Sequence, residues 1–178
     1  VGEGHPCFII AEAGSNHNQK LSIAKKLIDT AIKAKADIVK FQLFVPEKIY
    51  VRKAGFADYL GNAKSIQQIF KEIMMPRDWI PKLAAYCEKK GMMFTASAFD
   101  EESADLLEPF VPAYKIASYE STHIPLIKYI AKKDKPIIMS TGMASIEEIR
   151  ESLQAIASTG NKNVVLMHCV TKYPAPIE

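Results

Sequence analysis

Short apolar runs alternate along this chain with segments in which apolar residues recur every three or four positions. The runs lie at 7–11 (CFIIA), 37–42 (DIVKFQ), 92–97 (MMFTAS), 113–118 (AYKIAS), 136–141 (PIIMST) and 163–169 (NVVLMHC). Each has the length of a strand buried on both faces in a parallel sheet. Between them the period changes to that of a helix. Residues 21–34 place Leu21, Ala24, Leu27, Ile28, Ala31 and Ile32 on one face. Residues 77–90 carry Trp79, Leu83, Tyr86 and Cys87 on a similar stripe, and Gly91 then closes the helix. Asp100 is an N-cap ahead of acidic residues, Pro125 sits near a helix start, and Ser145 with Glu148 forms a capping box. This alternation predicts six βα units, hence a parallel sheet with right-handed crossovers. The connection over 43–76 is longer and holds a short helical pattern, SIQQIFKEI, an insertion of the kind that shapes a pocket.

The strands end in polar residues. Glu12 follows the first run, Lys40 and Gln42 close the second, and Ser97 closes the third, with Lys115 and Ser118 in the fourth. Ser140 and Thr141 close the fifth, and His168 and Cys169 the sixth. In a (β/α)8 barrel these ends share one face; in an open doubly wound sheet they line a crevice. Lys40 and Gln42, two apart, share a strand face. An ammonium inside an apolar strand is costly unless an anion meets it. Lys40 and Lys115 are therefore expected to wait for a substrate anion rather than a protein carboxylate. Glu12 is expected across the mouth from them. The serines, the STG turn at 140–142 and the helix start after it suit a phosphate. Plainer roles fit the remaining candidates: His17 shapes a loop, His168 is packed or hydrogen-bonded, Cys169 is core, and Tyr173 packs in a loop or walls a pocket.

Composition narrows the classes. The 178 residues are 48% hydrophobic and 24% charged, an ordinary globular balance. A net charge of +3 gives no case for nucleic acid or a membrane surface as partner. No apolar run is long enough to span a bilayer, no signal peptide is visible at the start, and three cysteines without a CxxC fit a reduced, cytoplasmic chain.

The motifs FIIAEAGSNHN, ADIVKFQ, PAYKIASYE, PIIMSTGM and MHCVTKYPAP, in this order across nearly the whole chain, resemble the sialic acid synthase (N-acetylneuraminate synthase) family. KIASYE and HCVTKYPAP are most similar to its spore-coat polysaccharide, SpsE-like branch. The resemblance implies a TIM barrel, often with an antifreeze-like C-terminal domain. It implies condensation of phosphoenolpyruvate with an N-acylated mannosamine-type sugar, releasing phosphate, in surface polysaccharide biosynthesis. A divalent metal, usually manganese, would polarise the sugar aldehyde. Lys40, Ser97, Lys115, Ser118 and Ser140 would hold phosphoenolpyruvate. Glu12, Gln42, Phe99 and Glu120 would face the sugar or the reacting centre, with Asn62 and Tyr173 near the sugar. Glu12, Lys40 and Lys115 are the catalytic candidates. Where some members have asparagine after HCT, this chain has Thr171. A homodimer is the implied assembly.

Family barrels have two more βα units, and their metal-binding histidines lie there. The sequence therefore reads as the first six units of an α/β TIM barrel, residues 1–178 being the N-terminal part of the synthase domain. Such a piece is expected to have raw sheet edges, to be poorly stable alone and to be inactive. No metal ligand is assigned within it. The competing readings are another phosphoenolpyruvate-dependent sugar-acid synthase barrel and a non-catalytic barrel.

Overall fold

The computed structural model describes residues 1–51, 55, 64–172, 175 and 177. Six strands are present: β1 (Ile10–Gly14), β2 (Ile38–Leu43), β3 (Met93–Ala98), β4 (Tyr114–Ile116), β5 (Ile137–Ser140) and β6 (Val164–Met167). All neighbours pair in parallel, in the order β1-β2-β3-β4-β5-β6. Strictly sequential order is the barrel solution, not the doubly wound one, in which the order reverses. The helices are α1 (Leu21–Lys33), α2 (Pro46–Ile49), α3 (Ile66–Ile73), α4 (Trp79–Lys89), α5 (Glu101–Leu107), α6 (Ile124–Ala131) and α7 (Ile146–Ala157). The sheet with its helices is a half-barrel, as the βα alternation predicts.

The local signals act where the sequence puts them. Asp100 accepts from the Ser103 N–H at the start of α5. Ser145 and Glu148 close a capping box on α7, and Ser65 with Gln68 does the same on α3. Gly91, after α4, takes φ +70°, a conformation that costs other residues a steric penalty.

The first strand is displaced from its expected position. Residues 7–9 lie outside it, and it runs on through Glu12 to Gly14. Pairing decides this: the ladder with β2 begins at Ile10 opposite Ile38. Ile9 is instead 48% exposed and donates its N–H to the Asp37 carboxylate at 2.6 Å. An apolar run alone does not define a strand; a partner must supply the ladder. β4 is also shorter than expected, because Ser118–Glu120 turn into a 3-10 helix.

Alternate strand residues divide the sheet into two faces. Val39, Phe41, Leu43, Phe94, Ala96, Tyr114 and Ile116 point outward and pack under the helices as the core. Burying a side chain of the larger kind stabilises by roughly 1.5–3 kcal/mol. The inner face carries Ile10, Ile38, Met93 and Ile138 towards the strand starts and polar residues towards their ends. It opens on a cavity of about 410 Å³ that reaches Lys40, Thr95 and Lys115. Met93 on this face is 42% exposed. Among the described residues, β1 and β6 each pair on one side. Among the described residues no helix is long and apolar enough to cross a membrane.

Candidate active site

Register assembles the site. Glu12 lies opposite Lys40, Gln42 opposite Ser97, and Ser97 opposite Lys115, so all five share the inner face on four successive strands. Ser140 closes β5 beside them.

Lys40 and Lys115 are both buried, at 8% and 5% exposure. The Lys40 ammonium donates to the Glu12 carboxylate. This corrects two expectations. Glu12 stands beside Lys40 rather than across the mouth, and Lys40 does have a protein carboxylate. In-register parallel pairing puts the two side chains on adjacent strands with the same facing. Lys115 fits its expectation better. Its Nζ donates to Ser140 Oγ at 2.7 Å and to the Ile116 carbonyl at 2.8 Å, and among the described residues it has no ion pair. Burial pulls its pKa down to about 8, against the opposing influence of Cys169 and Glu120. Lys40 is pulled down to about 7, by burial first and by the neighbouring Lys115 charge second. Cys169 works in the opposite direction.

The serines are oriented by N–H groups of the chain itself. Ser140 Oγ accepts from Lys115, and Ser118 Oγ accepts from the Gly142 N–H at 3.3 Å. A hydroxyl whose oxygen accepts in this way has its own hydrogen left to donate. Both are thus prepared to meet an anion. Ser97, also buried, lies between Gln42 and Lys115 in the register. Gln42 accepts from Ser15 Oγ at 3.0 Å, which leaves its NH2 as a donor.

Glu120, in the turn after β4, is half-buried, and its Oε2 is buried without a hydrogen-bond partner among the described residues. Burial lifts its pKa to about 7, with the Lys115 charge acting against that. Its carboxyl can hold or release a proton near neutrality. Phe99 is half-buried and meets Phe44 edge-on at 5.8 Å, and Phe44 in turn meets Phe70 of α3 at 5.3 Å. The long connection thus contributes an aromatic wall beside the strand ends. Asn62 and Tyr173 lie outside the described residues.

At the start of α7 the capping box engages the Glu148 N–H, and Glu147 and Glu148 put negative charge in its first turn, which disfavours an anion there. Two further expectations change. His168 is exposed rather than packed, and Cys169 is half-exposed rather than core, with an influence on both lysines. His17 keeps its loop-shaping role. It is fully buried, its Nδ1 accepts the Gln19 N–H at 3.1 Å, and its ring meets Trp79 at 5.4 Å.

The sequence reading missed Ser15 as the partner of Gln42 and Gly142 as the partner of Ser118. Both sit in the quoted motifs, GSN and STG, but a hydrogen-bond partner on another strand leaves no trace in local spacing. As for metals, no group of three or more His, Cys, Asp or Glu among the described residues could hold an ion. The manganese implied by the resemblance does not fit these residues.

The geometry is thus a polar cluster with two buried lysines towards the carboxyl ends of consecutive parallel strands, the end that carries active sites in barrel enzymes. The chain is similar to the spore coat polysaccharide biosynthesis protein SpsE of Bacillus subtilis, 46% identical over all of this chain and 48% of that protein. It is 42% identical to the N,N'-diacetyllegionaminic acid synthase of Campylobacter jejuni over 95% of this chain and 53% of that one. The crystal structure of N-acetylneuraminic acid (sialic acid) synthetase from Leptospira borgpetersenii, in complex with citrate, superimposes with a TM-score of 0.84 at 31% identity. That match covers 97% of this chain and 57% of the other. The chain therefore spans about half the length of the curated relatives it matches. A family model for the NeuB family matches residues 27–178, most of the chain. This protein belongs to the NeuB family.

Proposed function

We propose that these residues form the phosphoenolpyruvate-binding half of a sugar-acid synthase site, which condenses phosphoenolpyruvate with an N-acylated mannosamine-type sugar. The observation that carries the reading is Lys115, a buried cation without an ion pair among the described residues, held by a serine hydroxyl and close enough to Lys40 to lower its pKa. A cation kept in low dielectric is costly without an anion; Glu12 meets Lys40, no carboxylate among the described residues pairs with Lys115, and phosphoenolpyruvate brings both a phosphate and a carboxylate. Lys115, Lys40, Ser97, Ser118 and Ser140 bind it. Gln42, Phe99 and Glu120 face the sugar.

The carbon–carbon double-bond pair of phosphoenolpyruvate attacks the sugar aldehyde from carbon 3 and forms the new carbon–carbon bond, while the aldehyde's carbonyl pair moves onto its oxygen, which takes a proton from solvent to become a hydroxyl. Positive charge develops at carbon 2, where the Glu12 carboxylate stabilises it. Water adds at carbon 2 and gives up a proton, and Glu120 is the group able to take one near neutral pH. The tetrahedral intermediate then expels phosphate by breaking its carbon–oxygen bond. No step here is assigned to a metal; a manganese ion would take its ligands from outside the described residues. A homodimer is the proposed assembly.

The names of the relatives support the sugar-acid product class, since two of them are synthases of legionaminic and sialic acids. The test is phosphate release when the full chain is mixed with phosphoenolpyruvate, manganese and candidate N-acyl mannosamine-type sugars. Release that depends on the sugar supports the reading. Failure to bind phosphoenolpyruvate at all overturns it.

A further inference from the structure

The turn after β5 is packed unusually closely. A Cβ placed on Gly142 would collide with the backbone carbonyl of Cys169, in the segment that follows β6, and would lie 2.7 Å from the Thr171 methyl. The first obstacle is backbone, so no side-chain rotation relieves it. On its other side the Gly142 N–H donates to Ser118 Oγ, at the end of β4. Next to it, Thr141 donates both its N–H and its hydroxyl to the Met167 carbonyl, each at 3.1 Å. Gly142 is therefore the point where the ends of three strands meet.

We infer that Gly142 is a positioning residue of the anion site: its missing side chain lets the segment after β6 close onto the turn, and its N–H turns the Ser118 hydroxyl toward the ligand. The inference rests on the phosphoenolpyruvate reading given above. No positive φ is involved at Gly142, so an alanine there meets no backbone penalty of its own. Its only difficulty is the approach of residues 169 and 171. Alanine must push that segment away or pull the turn off Ser118. In the second case the Ser118 oxygen loses its donor, and its hydrogen is no longer held toward the anion.

The experiment is a double-mutant cycle in the full chain, with phosphoenolpyruvate binding read by calorimetry. G142A is expected to weaken binding about tenfold, the scale of one hydrogen bond to a charged ligand. S118A should cost a similar factor. The double variant should be no weaker than the worse single one, because Gly142 acts through Ser118. Binding of the sugar alone should not change. Multiplying losses in the double variant, or unchanged affinity in G142A, overturns the inference while the functional reading stands. A wild-type chain that does not bind phosphoenolpyruvate overturns both. Should G142A fail to fold, hydrogen exchange in S118A decides. The Gly142 amide is expected to exchange faster there than in wild type, and an unchanged rate overturns the link.

Discussion

The two faces of this one sheet are built from alternate residues of the same strands, yet they obey opposite rules. The outer face at Val39, Phe41, Leu43, Ala96, Tyr114 and Ile116 is apolar and closed, with none of these residues more than 1% exposed. The inner face at the same depth holds Glu12, Lys40, Thr95, Ser97, Lys115 and Ser140. The outer residues gain free energy by leaving water. The buried lysines lose it, and only ion pairing, hydrogen bonding or a ligand offsets the loss. Stability and activity are thus assigned to separate faces. The same strand that anchors the core through Phe41 presents a costly cation through Lys40.

That division can be broken most forcefully from outside. Phe41 is fully buried and packs against Phe94 with ring centroids 6.0 Å apart. Phe41→Ala is expected to cost about 3–5 kcal/mol of stability, read as a lower denaturant midpoint. Phosphoenolpyruvate affinity per folded molecule should be retained. A loss of affinity larger than the loss of folded protein would mean that the faces are not independent.

Glu12→Gln attacks from inside. It removes the carboxylate that pairs with Lys40 and, on the proposed mechanism, the charge facing carbon 2. Turnover should fall roughly a hundredfold or more, the scale of such electrostatic groups. Affinity for phosphoenolpyruvate should stay or improve, since Lys40 is released to the ligand. A lower melting temperature with intact turnover would make Glu12 a structural partner of Lys40 and no more.

Lys115→Met sharpens the contrast, because it keeps most of the side-chain length and removes the charge together with its donation to Ser140 and the Ile116 carbonyl. Losing a charge-assisted contact of roughly 1.5–3 kcal/mol should weaken phosphoenolpyruvate binding by about ten- to a hundredfold. Stability should rise or hold, since an apolar side chain tolerates the site better than a buried ammonium. A strongly destabilised Lys115→Met chain would show that this lysine belongs to the scaffold.

Which parts of this division were legible beforehand follows from the range of the forces. The outer face was readable because apolar runs and helical periods are local, and the caps at Asp100 and Ser145 are local too. The inner lysines stood out because a charge inside an apolar run is itself an anomaly. Their partners were not legible. The Glu12–Lys40 pair depends on inter-strand register, and β1 starts three residues later than its apolar run because its ladder begins only opposite Ile38. The Gly142–Ser118 bond joins two turns that sequence spacing cannot relate.

The smallest expected effect, and the most diagnostic of the two-face division, is in pH. Lys115 and Lys40 have folded-state pKa values of about 8 and about 7, below the ordinary 10.5. The unfolded chain therefore binds more protons than the folded one between those values and 10.5, so their contribution to stability grows as pH rises through that window. It is lost as pH falls through about 8 to 7. Glu120 has the opposite sign. Its folded-state value of about 7 lies above the ordinary 4.5, so its contribution is full below 4.5 and is lost as pH rises towards 7. Together the three groups place a minimum in the stability of the unliganded chain near pH 7. Wild type should therefore gain stability over Lys115→Met as pH rises above about 8, and should lose it relative to Glu120→Gln between 4.5 and 7. Phosphoenolpyruvate affinity should run against the first trend, falling as the lysines discharge above pH 7 to 8. Chemical denaturation of the three chains across pH 4 to 10, alongside calorimetry of the wild type, measures both. If affinity and stability rose together above pH 8, the ammonium groups would not be what the anion binds, and the inner face would lose its reason for holding them.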